Sequence, residues 1–147
     1  MGEAIGYRGG RFSGIAFTSE RLLVRWGPPY APSSTHAAGW AEPSSTIIHG
    51  ALADHDAEHD AVLWNVVPAH PHRLGAPLSN RAPTVAEVTQ GAPVLDAVIA
   101  WLQPQTVVAV GRIAERLLDE RAHAAVRHPA QGGATACREG LARVLGR

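Results

Sequence analysis

Two short apolar runs stand out from a chain otherwise broken by proline and glycine: Val62-Leu63-Trp64-Asn65-Val66-Val67 and Thr106-Val107-Val108-Ala109-Val110. Neither alternates with polar residues, and near-continuous runs of this length fit strands covered on both faces, as in a parallel sheet. A weaker strand is expected over Ala122 to Arg127. Val94, Leu95, Val98, Ile99, Trp101 and Leu102 recur at helical spacing, so Thr84 to Leu102 reads as helix with that stripe in the core. Thr84 and Glu87 have the spacing of a capping box, Gly91 and Pro93 are expected to break the helix in two, and Pro104 ends it. Arg112 to Asp119 predicts a helix with Ile113, Leu117 and Leu118 facing inward, and a last helix runs to about Leu145. Nearer the start, Thr18-Ser19-Glu20 offers a capping hydroxyl and a first-turn acid to a short helix over Arg21 to Trp26. Gly27 to Pro43, with four prolines, reads as irregular, and Ser44 or Ser45 as the cap of a helix through about Ala53. A strand that stops at Gly111 and opens a helix is the doubly wound pattern, so the expected fold is α/β, a mostly parallel sheet with helices on both sides in three layers.

With 147 residues the chain fits one domain, able to bury roughly 70% of its unfolded surface. A single cysteine, Cys137, excludes an intramolecular disulfide framework and any all-cysteine cluster built by this chain alone. No signal peptide and no apolar run approaching twenty residues is seen, which points to a cytoplasmic protein that does not cross a membrane. Thirteen cationic residues balance thirteen acidic ones, so attraction to nucleic acid must come from a local patch. Only Met1 precedes the glycine-rich stretch Gly2 to Gly10, where a parallel sheet needs a buried strand. The expectation is therefore a sheet lacking its first strand and a chain that is N-terminally truncated or carries a misassigned start.

The polar chemistry gathers where strands end. Past Val67, the prolines Pro68, Pro71 and Pro77 stop regular structure while His70, His72, Arg73, Asn80 and Arg81 crowd the loop. Open parallel sheets bind ligands at that end. Asn65 interrupts a buried run, and an amide there must find partners. Glu3 lies in the opening glycine loop, whose backbone can approach a ligand closely. His128 to Thr135 follows the weaker strand, so three strand ends, at Glu3, Asn65 and His128, deliver polar loops to one edge. Asp54 to Asp60, DHDAEHD, mixes acids and histidines but reads better as a solvated linker than a metal site, because nothing fixes its side chains in convergent geometry. His70 and His72 would need a distant third ligand to hold zinc, and no metal is expected.

In this order the three loops resemble those of the uracil-DNA glycosylase superfamily, over nearly the whole chain. Gly2-Glu3-Ala4-Ile5-Gly6 is similar to the first motif, GEAPG, of the branch that carries an iron–sulphur cluster. Asn65-Val66-Val67 matches its NVV strand, Asn80-Arg81-Ala82-Pro83-Thr84 with Glu87 its NRxPTxxE segment, and His128-Pro129 the HP of its last motif. Phe17 sits where that branch keeps a stacking aromatic. The resemblance implies Glu3 and His128 as catalytic residues, and Phe17, Asn65, Gly2 and Ala4 as the base-binding set. Contacts to uracil-containing DNA would come from Arg8, Arg73, Asn80, Arg81, Arg127, Pro129, Gln131 and Gly132. Three departures stand out. Ile5 replaces the motif's proline, Ala69 stands where the branch has a cluster cysteine, and the loop after His128 has no large apolar wedge, leaving Gln131 to fill a vacated stack. No iron–sulphur cluster or other cofactor is expected.

The chemistry is coherent with that set. An enzyme acting on one base takes it out of the stack and recovers the cost in a pocket. A Phe17 ring stacks on any base, so discrimination falls to Asn65, which can accept from uracil N3–H and donate to O4, a pattern cytosine reverses. As the base leaves as an anion, the sugar gains positive charge. Glu3 would orient water and stabilise that cation, and His128 would hydrogen-bond the departing oxygen. All thirteen cations are arginine. Without lysine there is no side-chain amine to form a Schiff base, so a monofunctional enzyme is expected; a monomer is expected as well. Two other readings stay open: an inactive DNA- or abasic-site-binding module of the same fold, and a small-molecule metallohydrolase using His70, His72 and His128.

Overall fold

The computed structural model describes residues 1–146. Its strands are β1 (Gly2–Ala4), β2 (Asn65–Val67), β3 (Val108–Val110) and β4 (Ala124–Val126). Its helices are α1 (Gly10–Ser13), α2 (Glu20–Trp26), α3 (Pro43–Ala53), α4 (Val85–Leu102), α5 (Arg112–Leu118) and α6 (Ala134–Leu145), with a single 3₁₀ turn at Asp119–Arg121. β1 pairs with β2 and β3 with β4, both parallel, in the registers Gly2 to Asn65 and Val108 to Ala124. Met1 joins the pairs. Its nitrogen donates to Val108 O (2.8 Å) and its carbonyl accepts from Val110 N (2.8 Å), the two bonds by which one residue pairs with a parallel neighbour. The strand order across both pairs is therefore β2, β1, β3, β4.

This corrects the expectation of an absent first strand. Three residues suffice because both neighbours supply partners: β3 bonds Met1, and on the β2 side Gly2 N donates to Trp64 O (2.8 Å) and Ile5 N to Ala69 O (3.0 Å). A proline at position 5 has no N–H to make the second bond, so Ile5 lengthens the ladder. The other strands are also shorter than their apolar runs. Val62 is 56% exposed, and the buried stretch starts only at Asn65. A run of large side chains marks where a strand passes, but backbone partners decide where it begins.

Successive residues of β3 enter different apolar clusters, as the period of a strand requires. Val110 joins Phe17, Ile48, Leu52, Val126, Cys137 and Leu141, contributed in part by α3 and α6. Ala109 joins Val66, Leu95, Ala114 and Leu118, from β2, α4 and α5. In α5 the inward pair is Ala114 and Leu118, one helical turn apart, while the expected Ile113 is 36% exposed. In α4 only Gly91 and Leu95 are buried, and Val94 and Trp101 are exposed rather than core. Gly91 is demanded by contact: a Cβ there would lie 2.8 Å from Val66 O. The predicted break does not occur. Pro93 lies inside a continuous 18-residue helix begun by the full Thr84–Glu87 capping box. With mean hydropathy 1.2, α4 is also long and apolar enough by composition to cross a membrane, contrary to the expectation that no such segment exists, although here it packs on β2 through Gly91 and Leu95.

Two expected caps are replaced. The Ser19 side chain makes no cap bond to α2, and α3 begins on Pro43 at its first turn, with Ser45 buried inside the helix accepting from Ser19 N (3.1 Å). The first-turn acid Glu20 is fully buried. Its oxygens accept from Ser33 N and Ser34 N (both 2.7 Å), Ser34 Oγ (2.6 Å) and Trp40 N (3.1 Å). Burial pushes its pKa upward, but these donors outweigh it and hold the carboxyl below its ordinary value. The proline-rich stretch between α2 and α3 is thereby wound around one buried charge.

Candidate active site

The loops that leave the strands enclose a cavity of about 330 Å³. From the sequence-derived set it brings together Glu3, Ala4, Arg8, Phe17, Asn65, Asn80, Arg81 and His128. Gly2 lies beneath them. A Cβ on Gly2 would fall 2.4 Å from Asn65 Oδ1 and 2.6 Å from Phe17 Cζ, so amide, ring and backbone meet at one point that only glycine leaves open. Phe17 is 8% exposed and held at φ 51°, a left-handed conformation costly for an aromatic residue. The neighbouring Thr18 hydroxyl, bonded to Ala16 O (3.1 Å) and within 3.1 Å of His49 Nε2, braces that turn. Asn65 is 5% exposed on β2, and no described hydrogen bond engages its side-chain amide, which faces the cavity. Its hydrogen-bonding capacity is left for a ligand.

The two ionisable candidates are both perturbed by burial. Desolvation raises the Glu3 pKa, with Arg116 opposing. Desolvation lowers that of His128, and Arg127 adds to the effect. His128 Nδ1 accepts from Ala130 N (3.1 Å), so in the neutral ring the proton is on Nε2, available as a donor. Gly111 makes room for this histidine: at φ 93° its missing Cβ would lie 2.9 Å from His128 Cβ.

Other predicted residues are placed differently. Arg81 lines the cavity, but its two terminal nitrogens bind the Glu87 carboxylate at 2.7 Å each and its Nε donates to His72 O, so the guanidinium stiffens its loop instead of offering an open fork. Glu87 is correspondingly held down to about 2, chiefly by Arg81. Asn80 Oδ1 accepts from Tyr7 N (3.0 Å) and ties this loop to the one after β1. Arg8 stands exposed, its Nε bonded to Tyr7 Oη (2.6 Å). Arg73, Arg127, Gln131 and Gly132 are exposed outside the cavity lining, and Pro129 is buried. His70 Nε2 is spent on Ser79 O (2.9 Å), and among the described residues no three His, Cys, Asp or Glu side chains converge to hold a metal.

Sequence reading missed Glu42. It lies just before α3, in the stretch read as irregular, yet its carboxyl enters the cavity against Gly6 and Gly9, where a Cβ would fall 2.7 and 2.1 Å from its oxygens. Burial pushes its pKa up to about 7. Nothing in the local sequence singled it out. The signal lay at a distance, in the two glycines that begin and end the Gly6–Gly9 turn and leave room for its carboxyl.

A polar cavity past the ends of parallel strands, furnished with a ring, an unengaged amide, two carboxyls and an imidazole, defines the ligand site of an α/β protein. The chain belongs to the uracil DNA glycosylase superfamily, which it matches over residues 1–144. At the level of that family the activity is hydrolysis of an N-glycosyl bond, and the substrate is DNA. No curated protein sequence matches the chain.

Proposed function

We propose that this protein is a monofunctional glycosylase that removes uracil from DNA, on a three-layer version of the α/β fold in which the two apolar clusters flank the sheet. The observation that carries the reading is the junction of Asn65, Phe17 and Gly2, a nearly buried amide without protein partners beside a ring fixed in a strained turn. A flipped base stacks on Phe17, and Asn65 accepts from N3–H and donates to O4. Mispairing by cytosine leaves polar groups unsatisfied at about 1–3 kcal/mol each.

His128, kept neutral by burial, donates from Nε2 to the oxygen that gains charge as the glycosidic bond lengthens. Glu3, raised toward working pH, directs water to the sugar carbon and offsets its positive charge. The bond from sugar to base breaks, a bond from water oxygen to sugar forms, and Glu3 receives the water proton. The abasic site stays intact because no lysine is present to open it.

The test is incubation with uracil-containing and matched cytosine-containing oligonucleotides followed by alkali. Strand scission only in the uracil substrate is expected. Binding without alkali-labile sites would replace this reading by that of an inactive binding module, and absence of both would overturn it.

A further inference from the structure

The loop between β2 and α4 carries a feature that the chemistry above leaves unused. Leu74 is 103% exposed, yet the turn that presents it is closed by several hydrogen bonds. Arg73 and Ala76 form an antiparallel bridge closed by Ala76 N to Arg73 O (3.0 Å), with Gly75 at φ 72° turning the corner. Ser79 staples the base of the turn: its hydroxyl donates to Ala76 O (2.7 Å) and accepts from Arg73 N (3.1 Å). His72 Nδ1 donates to Arg73 O (2.9 Å), and His70 Nε2 to Ser79 O (2.9 Å). One residue further on, Asn80 reaches the cavity and is bonded to Tyr7. A turn rooted in the cavity rim thus holds a bare leucine in solvent, with the exposed Arg73 preceding it in the chain.

A lone exposed leucine is common on protein surfaces. An ordered tip built to display one is a different matter, because each fixed residue loses conformational entropy that the leucine itself does nothing to recover in the free protein. The turn's own hydrogen bonds hold the leucine outward, and only a partner could cover its apolar surface. Duplex DNA fits on three counts: its stacked bases accept an apolar wedge between steps, its phosphates suit the neighbouring arginine, and turning a nucleotide into the cavity leaves a gap beside the rim. The loop after His128 does not provide a wedge. Pro129 is buried, and the residues that follow are Ala130, Gln131, Gly132 and Gly133.

We propose that Leu74 is the wedge that enters the base stack of duplex DNA when the target nucleotide occupies the cavity, with Arg73 on an adjacent phosphate. The inference rests on the glycosylase reading, but it concerns a loop that carries none of that chemistry. Wild type, Leu74→Ala and Leu74→Phe are compared in single-turnover excision from one uracil oligonucleotide, single-stranded and annealed, with 2-aminopurine beside the uracil reporting unstacking. Leu74→Ala is expected to slow duplex excision about 10-fold or more, to change single-strand excision less than about twofold, and to abolish the duplex fluorescence rise, while Leu74→Phe restores both. Equal effects on the two DNAs, or none, would overturn the wedge while leaving the glycosylase reading intact. If wild type excises nothing, that reading fails, and the fluorescence alone then decides: a rise lost in Leu74→Ala supports the wedge, and no rise in wild type overturns it.

Discussion

Glu42→Gln should remove the part of the stability loss at rising pH that comes from ionising Glu42. The Glu42 carboxyl is moved from 4.5 to about 7 because it is packed against Gly6 and Gly9 without a described donor. Its folded pKa is above its unfolded one, so between the two values the native state binds more protons, and stability falls as pH rises. The full displacement corresponds to about 3 kcal/mol at most, fully incurred above pH 7 and absent below about 4.5. Glutamine mimics the neutral acid in shape and cannot ionise. Urea unfolding of both proteins, near pH 5 and near pH 9, should show close to equal stability at the lower pH and an advantage of up to about 3 kcal/mol for the variant at the higher. Taking the difference between the two proteins removes the contributions of Glu3, His49 and His128, which titrate in both. A difference that does not change with pH would mean that Glu42 ionises freely in the native state, and the cavity environment described for it would be wrong.

Asn65→Asp should relax discrimination between uracil and cytosine by reversing part of the edge pattern, measured as the ratio of kcat/KM on the two substrates; an unchanged ratio would remove Asn65 from base reading. His128→Ala should leave substrate binding nearly unchanged and slow base release by about 2.7–4 kcal/mol in single-turnover assays, the scale of a lost oxyanion donor. Leu118, the fully buried last residue of α5, should cost about 2–5 kcal/mol of unfolding free energy when truncated to alanine, with the unfolding midpoint as readout. Borohydride added during turnover should trap no protein–DNA adduct that survives blocking of the terminal amine, because no lysine exists to form one.

Much of the candidate cavity lining was legible because its residues occur where local chemistry already marks them. Asn65 interrupts an apolar run, His128 follows a strand beside a proline, and Thr84 with Glu87 satisfies a helix start from within four residues, so each signal is contained in a short window. The parallel α/β class followed from unbroken apolar runs stopped by glycine for the same reason. What the tertiary structure decided has its cause elsewhere in the chain. Gly2–Ala4 is too short for any period to be read, and it is a strand only because Trp64, Ala69 and Val108 offer carbonyls on both sides. Glu20 looks like an ordinary first-turn acid until Ser33, Ser34 and Trp40 close on it, and a helix-cap pattern carries no information about donors 13 to 20 residues away. Arg81 reads as a free phosphate ligand, yet Glu87 takes its fork in the fold. Glu42 was invisible for the most general reason: the pKa and orientation of a carboxyl depend on which backbone is packed against it, and Gly6 and Gly9 reach it only across the folded chain.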